Sequence, residues 1–212
     1  MKMTCENLEN KWNRLSNELA LDKELYYQFH YWYTHPPRAY HNLNHISDCL
    51  NEFDGVRSLA SEPSQIEIAL WFHDAIYQPM TKGNEEESAE LASQILKEQG
   101  LSDSYIKKIE ELILLTKHHQ VPKTIDGKII VDVDLATLGK PEDIFNQYNQ
   151  NIIKEYEEVI QTISWDKFRE GRTKILKKFL ERPSIYYTEY FKNKYETRAR
   201  KNLERAILSL EK

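Results

Sequence analysis

The reading turns on Ala69-Leu-Trp-Phe-His73-Asp74-Ala-Ile-Tyr77. From Ile66 to Ile76 almost every residue is apolar, the pattern of an element buried on all sides. Into this run the sequence sets an imidazole and a carboxylate side by side. A carboxylate taken out of water without a partner costs several kcal/mol or takes up a proton. The pair needs a partner, and the simplest is a metal ion, with His73 and Asp74 supplying half of its shell.

Working outward, the flanking segments read as helices. Ser64-x-x-Glu67 after Pro63 has the form of a capping box, which starts a helix there and places His73 and Asp74 inside it. Upstream, Leu8, Trp12, Leu15 and Leu19, then Leu25, Tyr26, Phe29 and Trp32, recur at helical spacing with a break near Asp22. Leu43, Ile46, Leu50 and Phe53 form a further stripe over residues 42–54. Downstream, Asn84 is expected to cap a helix reaching Gly100, and Asp103 to open the next. Residues 122–133 contain Asp126-Gly127 and the β-like run Lys128-Ile-Ile-Val131, read as a hairpin arm or an extended lead into a helix. Pro141 opens another helix, residues 142–181 read as one long helix or two, and Thr188 caps the last. The expectation is an all-α chain: one compact helical domain over residues 1–212, with a metal-binding core at about 25–140 and C-terminal helices over 141–212.

Composition narrows the function. The net charge of −5 argues against a nucleic-acid surface. No run of about 18 apolar residues offers a membrane span, and the N-terminus lacks the apolar core of a signal peptide. Cys5 and Cys49 are too few for a disulfide framework and read as reduced thiols of a cytoplasmic protein. The amphipathic N-terminal helices offer a surface through which two chains could pair as a homodimer.

Three further groups repeat the anomaly at residues 73–74. His41 and His45 lie four apart and on a helix would share a face, away from the Leu43/Ile46/Leu50 stripe. Asp132 and Asp134 interrupt the apolar run Val131–Leu138. His118-His119 follows the stripe containing Ile109 and Ile113.

The order His, then His-Asp, then Asp over successive helices resembles the HD superfamily of metal-dependent phosphohydrolases. Tyr40-His-Asn-Leu-x-His45 is also similar to a segment of the cyclic-nucleotide phosphodiesterases. The fullest resemblance is to a family of predicted metal-dependent HD-domain phosphohydrolases. It is carried by Tyr40-His-Asn-Leu-x-His45, Trp71-Phe-His-Asp-Ala-Ile-Tyr77, Asn84-Glu85-x-x-Ser88-Ala89, Asp132-x-Asp134-Leu-x-x-Leu-Gly139 and Gly171-Arg172, and covers roughly residues 25 to 205.

That resemblance implies an HD-type bundle and a divalent ion on His45, His73, Asp74 and a late aspartate. Asp134-Leu is the closer match for the last ligand and Asp132 the alternative. Two imidazoles and two carboxylates suit Mn, Fe, Co, Ni or Zn better than Ca, with Mg also open. The implied reaction is attack of an activated water on a phosphoester of a nucleotide or other small phosphorylated metabolite. His41 or Glu85 would act as general acid or base and Asp74 would orient the water. Arg38, Lys117 and Arg172 are candidate phosphate cations, and His119 is a candidate ligand to a second ion. A metal-stabilised binding protein without turnover and a di-iron oxygenase are the competing expectations.

Overall fold

A computed structural model describes residues 5–36, 38–117 and 121–212, with side chains from Leu8 onward. The chain is all-α: the described residues form eleven α-helices and two short 3-10 segments, with no strand. They fall into two compact units, Met1–Ile130 and Val131–Lys212.

The first unit contains α1 (Cys5–Leu19), α2 (Leu25–Thr34), α3 (Leu43–Asp54), α4 (Pro63–Phe72), α5 (Asn84–Glu98), α6 (Asp103–Thr116) and the start of α7 (Ile125–Asp134). Its centre is α4, whose residues from Gln65 to Phe72 are all buried. Trp71 and Phe72 pack with Trp12 and Phe29, ring centroids lying 4.8–5.7 Å apart in mostly edge-to-face pairs. Pro63, with its fixed φ, starts α4 without a side-chain cap. The expected capping box does not form. Ser64 donates its hydroxyl to Glu18, and Glu67, 1% exposed, is gripped by Arg14 at 2.7 Å and by Arg57. Two guanidiniums offset the cost of burying that carboxylate.

α4 ends at Phe72, so His73 is its C-terminal cap and Asp74 lies in the following turn, not inside the helix. The chain leaves the helical path there because its carbonyls and amides find other partners. Arg38 takes the carbonyls of Asp74 and Ala75. The Ser88 hydroxyl bonds both the amide and the carbonyl of Ile76, at 3.0 and 3.2 Å.

Two other local expectations are corrected. α5 is capped by Gly83, at φ +104°, a left-handed conformation open to glycine. Asn84 is the first helical residue, and its side chain latches the preceding loop through the amide and carbonyl of Gln78. Residues 125–134 form a helix, not a hairpin arm or extended lead. Ile129, Ile130, Val131 and Val133 are at most 1% exposed, so burial on every side erases the helical period and overrides their β preference. Asp126 sits in the first turn and accepts from the amides of Ser61 and Glu62, at 2.7 and 3.1 Å.

The second unit contains α8 (Glu142–Glu155), α9 (Glu157–Ile163), α10 (Trp165–Leu180) and α11 (Glu189–Leu210). Residues 142–181, expected as one or two helices, are three. The breaks fall at Tyr156 and at Ser164, whose φ is +83° and whose hydroxyl caps α10 through Lys167 N. Thr188 caps α11 as expected, accepting from Phe191 N. A 3-10 segment, Leu135–Gly139, lies flat on α11. Asn202 donates to the carbonyls of Leu138 and Lys140, at 2.8 and 3.0 Å, and the Tyr186 hydroxyl to that of Leu135. Gly139 meets Tyr195 so closely that no Cβ fits between them. No helix of the described residues is long and apolar enough to cross a membrane.

Candidate metal centre

Three side chains of the first unit converge. His45 lies in the first turn of α3, whose Asn42 cap accepts from Asn44 N at 2.9 Å and donates to the carbonyls of Arg38 and Ala39. His73 and Asp74 follow α4. His45 Nε2 and His73 Nε2 are 3.1 Å apart, and Asp74 Oδ2 lies 3.1 Å from His73 Nε2 and 3.5 Å from His45 Nε2. His73 is 1% exposed, His45 5%, and the Asp74 side chain 14%.

These separations test whether an ion fits. A triangle with such edges has a circumradius of about 1.9 Å, shorter than the roughly 2.1 Å bond of a divalent ion to nitrogen or oxygen, so all three atoms could ligate one ion at once. Cis ligands of an octahedron at that bond length are about 3.0 Å apart, and those of a tetrahedron about 3.4 Å. The three atoms thus form one face of a coordination shell, two imidazoles and one carboxylate.

Hydrogen bonding sets the tautomer. His73 Nδ1 is 2.9 Å from the Leu70 carbonyl, which can only accept, so Nδ1 carries a proton and Nε2 is the nitrogen turned to the triangle, the one that would ligate an ion. Burial pulls the Asp74 carboxyl up, but the imidazoles of His73, His41 and His45 hold it well below the usual carboxylate range.

Cys49 was missed by sequence reading as anything beyond a reduced thiol. It lies one helical turn after His45, is 2% exposed, and its Sγ is 3.7 Å from His45 Nε2. Ligand atoms of His45, Cys49 and His73 all fall within 4.8 Å of one another. The spacing His45-x-x-x-Cys49 on one helix face was the available signal.

His41 precedes α3, so the expected shared helix face with His45 is not how they meet. Its ring stacks on Tyr77 at 4.0 Å, with its centroid 6.0 Å from that of His45. Arg38, expected to face phosphate, is committed to carbonyls: Asp74 at 2.5 Å, Ala75 at 3.0 Å and His41 at 3.3 Å. It clamps the His73-Asp74 turn. Glu85 is half-buried in the first turn of α5. Lys117 is ion-paired with Glu86, so its charge already has a partner. His119 lies outside the described residues.

Asp132 and Asp134 belong to the second unit. Asp132 is fully buried and accepts three bonds of 2.7 Å, from Tyr187 N, Thr188 N and Thr188 Oγ1. Both of its oxygens are thereby engaged, a structural role. Asp134, half-buried, ends α7. Arg172, on α10, donates to the Tyr148 hydroxyl at 2.7 Å and to Asn149 Oδ1 at 3.4 Å. No protein-family model, curated protein or solved structure matches the chain.

Proposed function

We propose that this chain is a metal-dependent phosphohydrolase of HD type acting on a nucleotide or other small phosphorylated metabolite. Its divalent ion (Mn, Fe, Co, Ni, Zn or Mg) is held by His45, His73, Asp74 and Asp134. The carrying observation is the triangle of His45 Nε2, His73 Nε2 and Asp74 Oδ2, with edges of 3.1 to 3.5 Å. Asp134 is preferred to Asp132 as the fourth ligand because the oxygens of Asp132 are engaged by Tyr187 and Thr188.

When bound, such an ion supplies an activated water and polarises a phosphoryl oxygen. The chain's own groups do the rest. Asp74 orients the attacking water. His41, its ring plane fixed on Tyr77, donates a proton to the leaving oxygen. Glu85 is the alternative acid or base. Cys49 is a softer donor beside the same face, which favours Zn or Fe over Mg.

The test is hydrolysis of a panel of nucleotides and sugar phosphates by purified protein loaded in turn with Mn, Fe, Co, Ni, Zn and Mg. Turnover that disappears in His73→Ala supports the reading. A protein that binds metal but hydrolyses no phosphoester under any of them sinks it. A face of two histidines and one carboxylate is also the arrangement of iron oxygenases, so the same triangle supports a second reading. Oxygen uptake by the iron-loaded protein, without phosphate release, would select it.

A further inference from the structure

We infer that the second unit carries a binding groove for a small organic oxyanion, a carboxylate or phosphate monoester, built around Arg172. The groove lies among α8, α10 and α11 and has a volume of about 430 Å³, within the range of small-ligand sites. Asn146, Asn149, Gln150, Ile153, Arg172 and Arg205 line it.

The two arginines differ in a way that points to a ligand. Arg205 is neutralised by Glu142 at 2.8 Å. Arg172 is half-buried, and among the described residues its partners are all neutral: the Tyr148 hydroxyl, Asn149 Oδ1 and the Tyr148 ring, 5.3 Å from the guanidinium carbon. Two guanidiniums against one carboxylate leave the groove one positive charge in excess.

Partial burial of a charge without a counter-charge is unfavourable. A solvated surface arginine avoids that cost by extending into water, whereas Arg172 is held over Tyr148. Both of its hydrogen bonds use Nη2, which leaves the N–H groups of Nε and Nη1, on either side of Cδ, as single donors to a ligand. Each is a charge-assisted donor to an oxygen of a carboxylate or phosphate. Ile153 supplies an apolar wall for an organic body, and the three amides offer donors and acceptors to its polar substituents. All of these residues belong to the second unit, so the inference stands whether or not the first unit hydrolyses anything.

The test uses the full chain, ¹⁵N-labelled. Inorganic phosphate and sodium acetate are titrated separately, each against chloride at matched ionic strength, while the arginine Nε–H and side-chain amide resonances are followed. The expected result is saturable shifts of Arg172, Asn146, Asn149 and Gln150 with phosphate or acetate and none with chloride. Whichever anion binds more tightly identifies the oxyanion class. Arg172→Gln should weaken binding at least about tenfold, and Arg172→Lys, which keeps the charge but loses the planar guanidinium held over Tyr148, should fall between. Shifts that do not saturate, that chloride reproduces, or that survive in a folded Arg172→Gln variant overturn the inference. The wild-type titration decides the matter even if that variant fails to fold.

Discussion

Replacing Arg38 with alanine should damage the metal centre without touching any proposed ligand. Arg38 donates to the carbonyls of Asp74, Ala75 and His41 at 2.5, 3.0 and 3.3 Å, bracketing the turn that presents His73 and Asp74. A hydrogen bond from a charged donor contributes about 1.5–3 kcal/mol. The third bond is long, and the half-buried site admits water to some of the exposed carbonyls. The expected loss in folding stability is therefore about 3 kcal/mol, or a Tm lower by roughly 6–12 °C at this chain length. Metal affinity should fall about 10- to 100-fold, the usual consequence of losing a group that orients ligands from behind. Arg38→Lys reaches one carbonyl at a time and should recover less than half of either effect. Urea denaturation reads the first quantity, and competition of the folded protein with a chromogenic chelator for Zn reads the second. A folded Arg38→Ala variant that binds zinc within twofold of wild type would refute the clamp.

Asp132→Ala strands three donors in the core and should cost about 2–4 kcal/mol while metal content is retained. Asp134→Ala should lower metal content; metal retained there but lost in Asp132→Ala would reassign the fourth ligand. Burial pushes the Asp132 carboxyl up to about 6 despite bonds from Thr188 and Tyr187 that lower it. The folded chain thus holds that proton more tightly than the unfolded one, where aspartate titrates near 3.9. Stability from this group should fall by up to about 3 kcal/mol as pH rises from about 4 to about 6 and level off above. Urea midpoints measured across that window for wild type and Asp132→Ala check it, since the variant should lack this component. Gly139→Ala should lower the Tm markedly, because an added Cβ meets the Tyr195 ring and the backbone of the 3-10 segment, pinned by Asn202, has little room to retreat. A melt unchanged within 1–2 °C would show that α11 yields more readily than its packing implies.

The helices legible from one apolar stripe are α1 and α2 with their break near Asp22, α3, α6 and α11, while α4, α5 and α8 were legible from the residues at their starts. α7 was not legible, because a β-branched run buried all round carries no period. Capping signals failed where tertiary partners claimed the side chain. Ser64 went to Glu18 and Asn84 to Gln78, leaving Pro63 and Gly83 to start the helices. The His73-Asp74 pair was legible because charge amid apolar residues demands a partner. Cys49 was not, since a buried cysteine reads equally well as a small apolar group. The role of Arg38 could not be read at all: its acceptors are backbone carbonyls, which leave no mark on residue identity. Arg172 was noticed for its charge, but the neutrality of its surroundings emerges only from the folded second unit.

The central claim is that the face made by His45, His73 and Asp74 holds a divalent ion. Its most direct test is the metal-to-protein ratio after loading with Mn or Zn and desalting, measured by elemental analysis on wild type, His45→Ala, His73→Ala and Asp74→Ala. The account predicts about one tightly held ion per wild-type chain and loss of that ion in each variant that remains folded. A wild-type chain that retains no metal, or folded variants that keep their ion, would contradict it.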